Sequence, residues 1–146
     1  MTAILETMAA DHRRCDDLFV AMEEAVSHTD WERADQLMNL FIEAMESHFA
    51  VEEEDLFDAL EGASRQAAGP IRVMLMEHDQ MRHLIKQLRS AMESHSKGPL
   101  LGITDTLLIT MQQHNMKEEN VLYPMADREV PEIAGTIVDR IKVETE

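Results

Sequence analysis

Cysteine is nearly missing from this chain: Cys15 is the only one in 146 residues. No internal disulfide can form, and a reducing compartment suits the sequence. Aromatic residues are also scarce, with a single tryptophan and a single tyrosine. Five glycines and four prolines leave few points at which a helix must stop. Basic residues are outnumbered, 13 Lys and Arg against 29 Asp and Glu, for a net charge of −16. Such a charge repels nucleic acid and anionic membranes, so neither is an expected partner. No apolar run approaches the length of a membrane span. The first residues, Met1-Thr2-Ala3-Ile4-Leu5-Glu6, show no basic, apolar leader. Together these absences point to a cytoplasmic location.

What remains favours helix. Ala, Leu, Met, Glu and Gln dominate, and Met alone occurs 12 times. Apolar residues recur at steps of three and four, which marks the buried face of a helix. Leu5, Met8, His12, Cys15, Phe19, Met22 and Val26 form the first such stripe, with Thr2 as the expected N-cap. Asp30 is placed to cap a second helix reaching about Leu60, whose stripe is Ala34, Leu37, Phe41, Met45, His48, Glu52, Leu56 and Ala59. Pro70 opens a third, with Ile71, Met74, His78, Met81, Ile85, Leu88 and Met92. A fourth runs from about Pro99 to Tyr123, with Leu100, Ile103, Leu107, Met111, His114, Glu118 and Val121. Ile133, Ile137 and Ile141 indicate a short fifth helix that either covers one end or serves a partner. The expected fold is all-α: an antiparallel up-down-up-down four-helix bundle with a short C-terminal helix. One domain fits residues 1–146, with the bundle over about 2–125 and an extension over about 131–146.

The sequence repeats itself. His48 is followed by Glu52 and Glu53, then by Leu56-Phe57; His114 is followed by Glu118 and Glu119, then by Leu122-Tyr123. Asp11-His12 returns as Glu77-His78 at the same offset of 66 residues. The set His12, His48, Glu52 is thus matched by His78, His114, Glu118, all on inward stripes. His48 and Glu52 lie one helical turn apart and face the same way. Two carboxylates on core stripes, with no Lys or Arg on those stripes, would each cost several kcal/mol to bury unpaired. Bound cations are the simplest compensation. Four imidazoles and two carboxylates suit iron, manganese or zinc, and the lack of thiolates argues against a structural zinc finger. The spacings therefore predict a two-metal site built by two similar halves. His28, His83 and His95 lie off the stripes and read as solvated. The methionines read as adaptable core. Glu53 and Glu119 read as a solvated face that can also orient the histidines.

These residues resemble the hemerythrin-like, HHE cation-binding family over nearly the whole chain, from about His12 to Pro124. The resemblance implies a non-heme diiron centre bridged by an oxygen and two carboxylates. By it, His12 and His48 hold one iron, His78 and His114 the other, and Glu52 and Glu118 bridge. Oxygen-carrying members have a fifth histidine one turn before the third-helix histidine; here Met74 stands there, mirrored by Met8. Four histidines and two glutamates are more similar to the iron–sulfur repair and nitric-oxide-response branch, without that branch's N-terminal cysteine-containing domain. Two nearly equivalent irons are the implied outcome.

Three functions follow. The first is a protein that binds or senses dioxygen, nitric oxide or peroxide at its metals, or handles iron. The second is an enzyme of peroxide or nitric oxide detoxification or of iron–sulfur repair. The third is a zinc-bound or metal-free structural module that acts through residues 131–146. No organic substrate pocket or electron-donor motif is legible.

Overall fold

The computed structural model describes residues 3–145, and the side chains of residues 3–143. Thr2, the expected N-cap, lies outside them. All regular elements among the described residues are helical. Helix α1 is Ala3–Ser27 and α2 is Trp31–Val51. A π-helical turn, Glu52–Leu56, leads into α3, Phe57–Ala63. Helix α4 is Ala68–Glu93 and α5 is Lys97–Lys117. A second π turn, Glu118–Leu122, leads into α6, Tyr123–Glu129, and α7 is Ala134–Thr145. The closest packing is between α1 and α2 and between α4 and α5.

Local chemistry explains most boundaries. Asp30 caps α2, its side chain accepting from the Arg33 amide at 3.2 Å. The turn between α1 and α2 and the turn between α4 and α5 are built alike. Thr29 and His95, 66 residues apart, both take a left-handed backbone, with φ of 52° and 51°. The amides that follow reach back into the helix, Asp30 N–H to Ala25 O at 2.9 Å and Ser96 N–H to Ala91 O at 3.0 Å. This satisfies carbonyls that a helix end leaves open.

The two π turns correct the expected stripes. In each, an amide bonds five residues back, Phe57 to Glu52 and Tyr123 to Glu118. The extra residue in the turn advances the buried face by one position. Leu122 and Tyr123 are therefore buried together, while Val121, expected inside, is 48% exposed. In the first half Leu56, Phe57 and Leu60 are buried, and Ala59 is only partly covered. The fourth helix does not stop at Tyr123 as expected, and Pro124 does not break it. Pro124 follows the widened turn, where the i→i−4 ladder is already interrupted, and α6 continues to Glu129. Ile103 is partly buried and Thr104 fully so, its hydroxyl donating to the Leu101 carbonyl at 3.0 Å. At the start of α1, Ile4 is buried and Leu5 only partly.

The core has two apolar regions. One holds Phe19, Phe41, Phe49, Leu88, Leu107 and Met111. The other holds Ile4, Met8, Leu56, Leu60, Ile71, Met74 and Tyr123. Ile137 and Ile141 of α7 join this second region, with α7 lying on α1 and α2. The isoleucine stripe of α7 thus covers one end of the helices and is spent within the chain. The buried polar residues Asp11, His12, His48, Glu52, His78, His114 and Glu118 fall between the two regions along the helices. Burying a large apolar side chain yields about 1.5–3 kcal/mol, so these regions supply the stability that a polar layer consumes.

Candidate metal centre

The structure brings all six expected residues together. They form two groups, His12 with His48, Glu52 and Glu118, and His78 with His114, Glu52 and Glu118. Within each group one donor atom per residue lies within 4.8 Å of all the others, so each could hold one metal ion. Both carboxylates belong to both groups. All six side chains are 5% exposed or less.

Each histidine is oriented by a carboxylate on its outer nitrogen. Asp11 faces His48 Nδ1 at 2.7 Å and Glu77 faces His114 Nδ1 at 2.9 Å. Glu53 faces His78 Nδ1 at 2.6 Å and Glu119 faces His12 Nδ1 at 2.7 Å. The partners obey the 66-residue repeat pairwise. An Nδ1–H donated to a carboxylate leaves the Nε2 lone pair aimed inward, the tautomer that a metal needs. Cations then face the outer carboxylates. Arg14 Nε donates to Asp11 at 2.8 Å, Arg82 Nη1 to Glu53 at 3.1 Å, and Lys117 to Glu77. The sequence reading anticipated Glu53 and Glu119 but missed Asp11 and Glu77. Their signal was present: each immediately precedes a ligand-type histidine and repeats at the same offset.

Tyr123 was also missed. Its hydroxyl donates to Glu52 Oε2 at 2.7 Å, lies 2.9 Å from Glu118 Oε1, and is 3.2 Å from the Nε2 of both His12 and His48. It stood out in the sequence only as the aromatic of the repeated Leu-aromatic pair, and its ring is buried. His28, His83 and His95 are exposed, as expected. His95 stacks on Trp31 with ring centroids 4.7 Å apart.

The electrostatics of the protein chain alone call for positive charge. Burial opposes a charged His48, yet Glu52, Asp11 and Glu118 together outweigh it and hold the imidazole well above its usual pKa. At His114 burial is likewise overcome, chiefly by Glu118, and the pKa rises to about 9. His12 is raised against burial by Glu118 and Glu119. Burial would raise Glu52, but His48 holds it well below the usual carboxylate range. Burial, then the charges of Glu118 and Glu52, push the Tyr123 phenol well above its usual value. Cys15 is raised to about 11 by burial first of all, which suits an inert core thiol.

Unsatisfied atoms test the fit to a metal. Glu52 Oε1, Glu118 Oε2, His78 Nε2 and His114 Nε2 are buried and have no hydrogen-bond partner among the described residues. His78 Nε2 does approach Glu52 Oε1 at 3.1 Å, without the geometry of a hydrogen bond. Each such atom costs about 1–3 kcal/mol. A cation among them would turn every one into a favourable contact. The residues present therefore fit a pair of cations, with nitrogen and oxygen donors and no thiolate.

The hemerythrin HHE cation-binding domain family matches residues 3–138, and the chain belongs to that family. The chain is also similar to proteins named iron-sulfur cluster repair protein YtfE. Those of Salmonella schwarzengrund (strain CVM19633) and Salmonella newport (strain SL254) are each 31% identical to it over 93 residues. The match takes in 58% of this chain and 42% of each relative, so the chain spans less than half of their length. No solved structure is matched. Among the described residues no helix is long and apolar enough to cross a membrane.

Proposed function

We propose that this chain binds two iron ions and presents them to a small ligand: dioxygen, nitric oxide or peroxide. The observation that carries the reading is the sharing of Glu52 and Glu118 between two four-residue donor groups. His12 and His48 hold one metal, His78 and His114 the other, and the two glutamates bridge. Membership of a cation-binding family and the name of the YtfE relatives favour iron over zinc or manganese. The four long helical segments run up-down-up-down as one domain, with α7 as a cap, an arrangement supported by the short turns at residues 28–30 and 94–96. A cytoplasmic location agrees with the single buried cysteine.

Bound iron supplies open coordination positions and one-electron chemistry. The chain supplies the rest. Asp11, Glu77, Glu53 and Glu119 fix each imidazole by its Nδ1–H, so the ligand set is rigid before a metal arrives. The apolar regions above and below exclude water and favour a small, weakly solvated ligand. Glu53 and Glu119 are partly exposed and reach from His78 and His12 toward solvent, giving each of those rings a route for proton exchange.

Metal analysis with an absorption spectrum of the purified protein tests the reading. Two irons per chain, with a visible spectrum that changes when azide or nitric oxide is added, are expected. A colourless protein holding one zinc or no metal would overturn it. The YtfE likeness favours a second reading, in which the same iron pair serves iron–sulfur repair. Restoration of activity to an iron-depleted iron–sulfur enzyme would support it, and reversible ligand binding without such restoration would count against it.

A further inference from the structure

The 66-residue repeat changes at several places beside the candidate centre, and one of them brings an oxygen to the donors. Phe57 in the first half stands where Tyr123 stands in the second. Both follow a π turn, and both are buried. The Phe57 ring lies against His78, with centroids 5.9 Å apart, and brings no polar atom. The Tyr123 hydroxyl reaches Glu52, Glu118, His12 and His48 at 2.7, 2.9, 3.2 and 3.2 Å.

Once the imidazoles are neutral, as metal binding requires, hydrogen bonding does not account for four such contacts. A phenol has one proton to donate. With each imidazole Nδ1–H committed to Glu119 or Asp11, both Nε2 atoms are lone-pair bearers, as are the two carboxylate oxygens. One proton cannot serve four acceptors. The spacing matches a different arrangement. Nitrogen and oxygen donors sit about 2.0–2.1 Å from a small divalent metal, so two donors at right angles about one ion are about 3.0 Å apart. The four hydroxyl contacts scatter around that value, and so does His12 Nε2 to Glu118 Oε1 at 3.0 Å. The tyrosine oxygen is therefore spaced from the four donors as one more donor to the same ion would be. On the other side, His78 Nε2 and His114 Nε2 have no such neighbour and no hydrogen-bond partner.

We propose that the Tyr123 oxygen is a further protein ligand, as phenolate, of the metal held by His12 and His48. The inference rests on the two-metal reading above. Coordination breaks the O–H bond, forms an oxygen–metal bond and releases one proton to solvent; with iron(III) no electron is transferred. The two metals are then unlike, in contrast to the near-equivalence expected from the four histidines and two glutamates. An added small anion binds at the His78/His114 metal, because tyrosine fills a position on the other.

Tyr123 is the only tyrosine in the chain, so isotopic labelling of tyrosine reports on it alone. The test loads the full chain with iron(III), counts the iron, and records absorption and resonance Raman spectra with natural and with ring-deuterated tyrosine. A visible charge-transfer band is expected, with phenolate vibrations that shift on ring deuteration. Tyr123→Phe should lose that band while keeping two irons per chain. Two irons per chain without tyrosine-derived vibrations in the unmutated protein would overturn the proposal and leave the two-metal reading standing. Less than one iron per chain would overturn both. The labelled, unmutated protein decides the matter even if the variant folds poorly.

Discussion

At the scale of single residues, neighbours in sequence have separate duties. Glu52 is buried and shared by both donor groups, whereas Glu53 is partly exposed and orients His78 from outside. Glu52→Ala should remove donors from both ions and leave metal stoichiometry well below two. Glu53→Ala should keep two sites at saturating metal, with affinity weakened about 10–100-fold, the usual effect of losing an outer hydrogen-bond partner. Metal titration of the two variants checks this, and the reverse ranking would refute the assignment of the inner carboxylate. The six inner residues were legible because helical stripe and repeat agreed on each of them. Asp11 and Glu77 were marked by the repeat alone, because one position before a stripe histidine points about 100° around the helix. Only the placement of α2 beside α1, and of α5 beside α4, shows that this direction leads to His48 and His114.

At the scale of elements, the two π turns mark the limit of what spacing can tell. Steps of three and four located Glu52 and Glu118 correctly and then failed at Val121 and Ala59, where the extra residue advances the face. No residue in Glu-Glu-Glu-Asp-Leu or Glu-Glu-Asn-Val-Leu announces such a turn, since its cause is the demand that a carboxylate, Leu and an aromatic all face inward. The turns between helices carry a testable strain. Thr29 holds φ at 52° with a Cβ, a conformation costing about 1–2 kcal/mol for most residues. Thr29→Gly should stabilise the chain by up to about 1 kcal/mol. His95→Gly should gain less or nothing, because it also removes the stacking on Trp31. Thermal melts of both variants read the difference. A Thr29→Gly protein that melts lower than the parent would show that the strained turn is not limiting.

At the scale of the whole molecule, stability and metal content are one equilibrium. In the chain without metal, protons must supply the positive charge that Glu52 and Glu118 require. His114 has a folded pKa of about 9, above the usual 6.5 for histidine, and His12 and His48 are raised in the same direction. A raised pKa contributes stability that is complete below about pH 6.5 and is lost as pH climbs through about 9. For His114 alone the loss is on the order of 3 kcal/mol at most. Metal reverses the sign, because the imidazoles must be neutral to bind it, so binding releases protons and tightens as pH rises. Chelated protein should therefore melt lower near pH 9 than near pH 6.5. The metal-loaded protein should melt higher than the chelated one at both, with the gap widening toward pH 9. Melting curves at the two pH values, with and without chelator and with metal content measured on each sample, decide the point. A gap that narrows as pH rises, or a chelated protein indifferent to pH over this window, would mean that the four imidazoles are not the groups on which protons and metal compete.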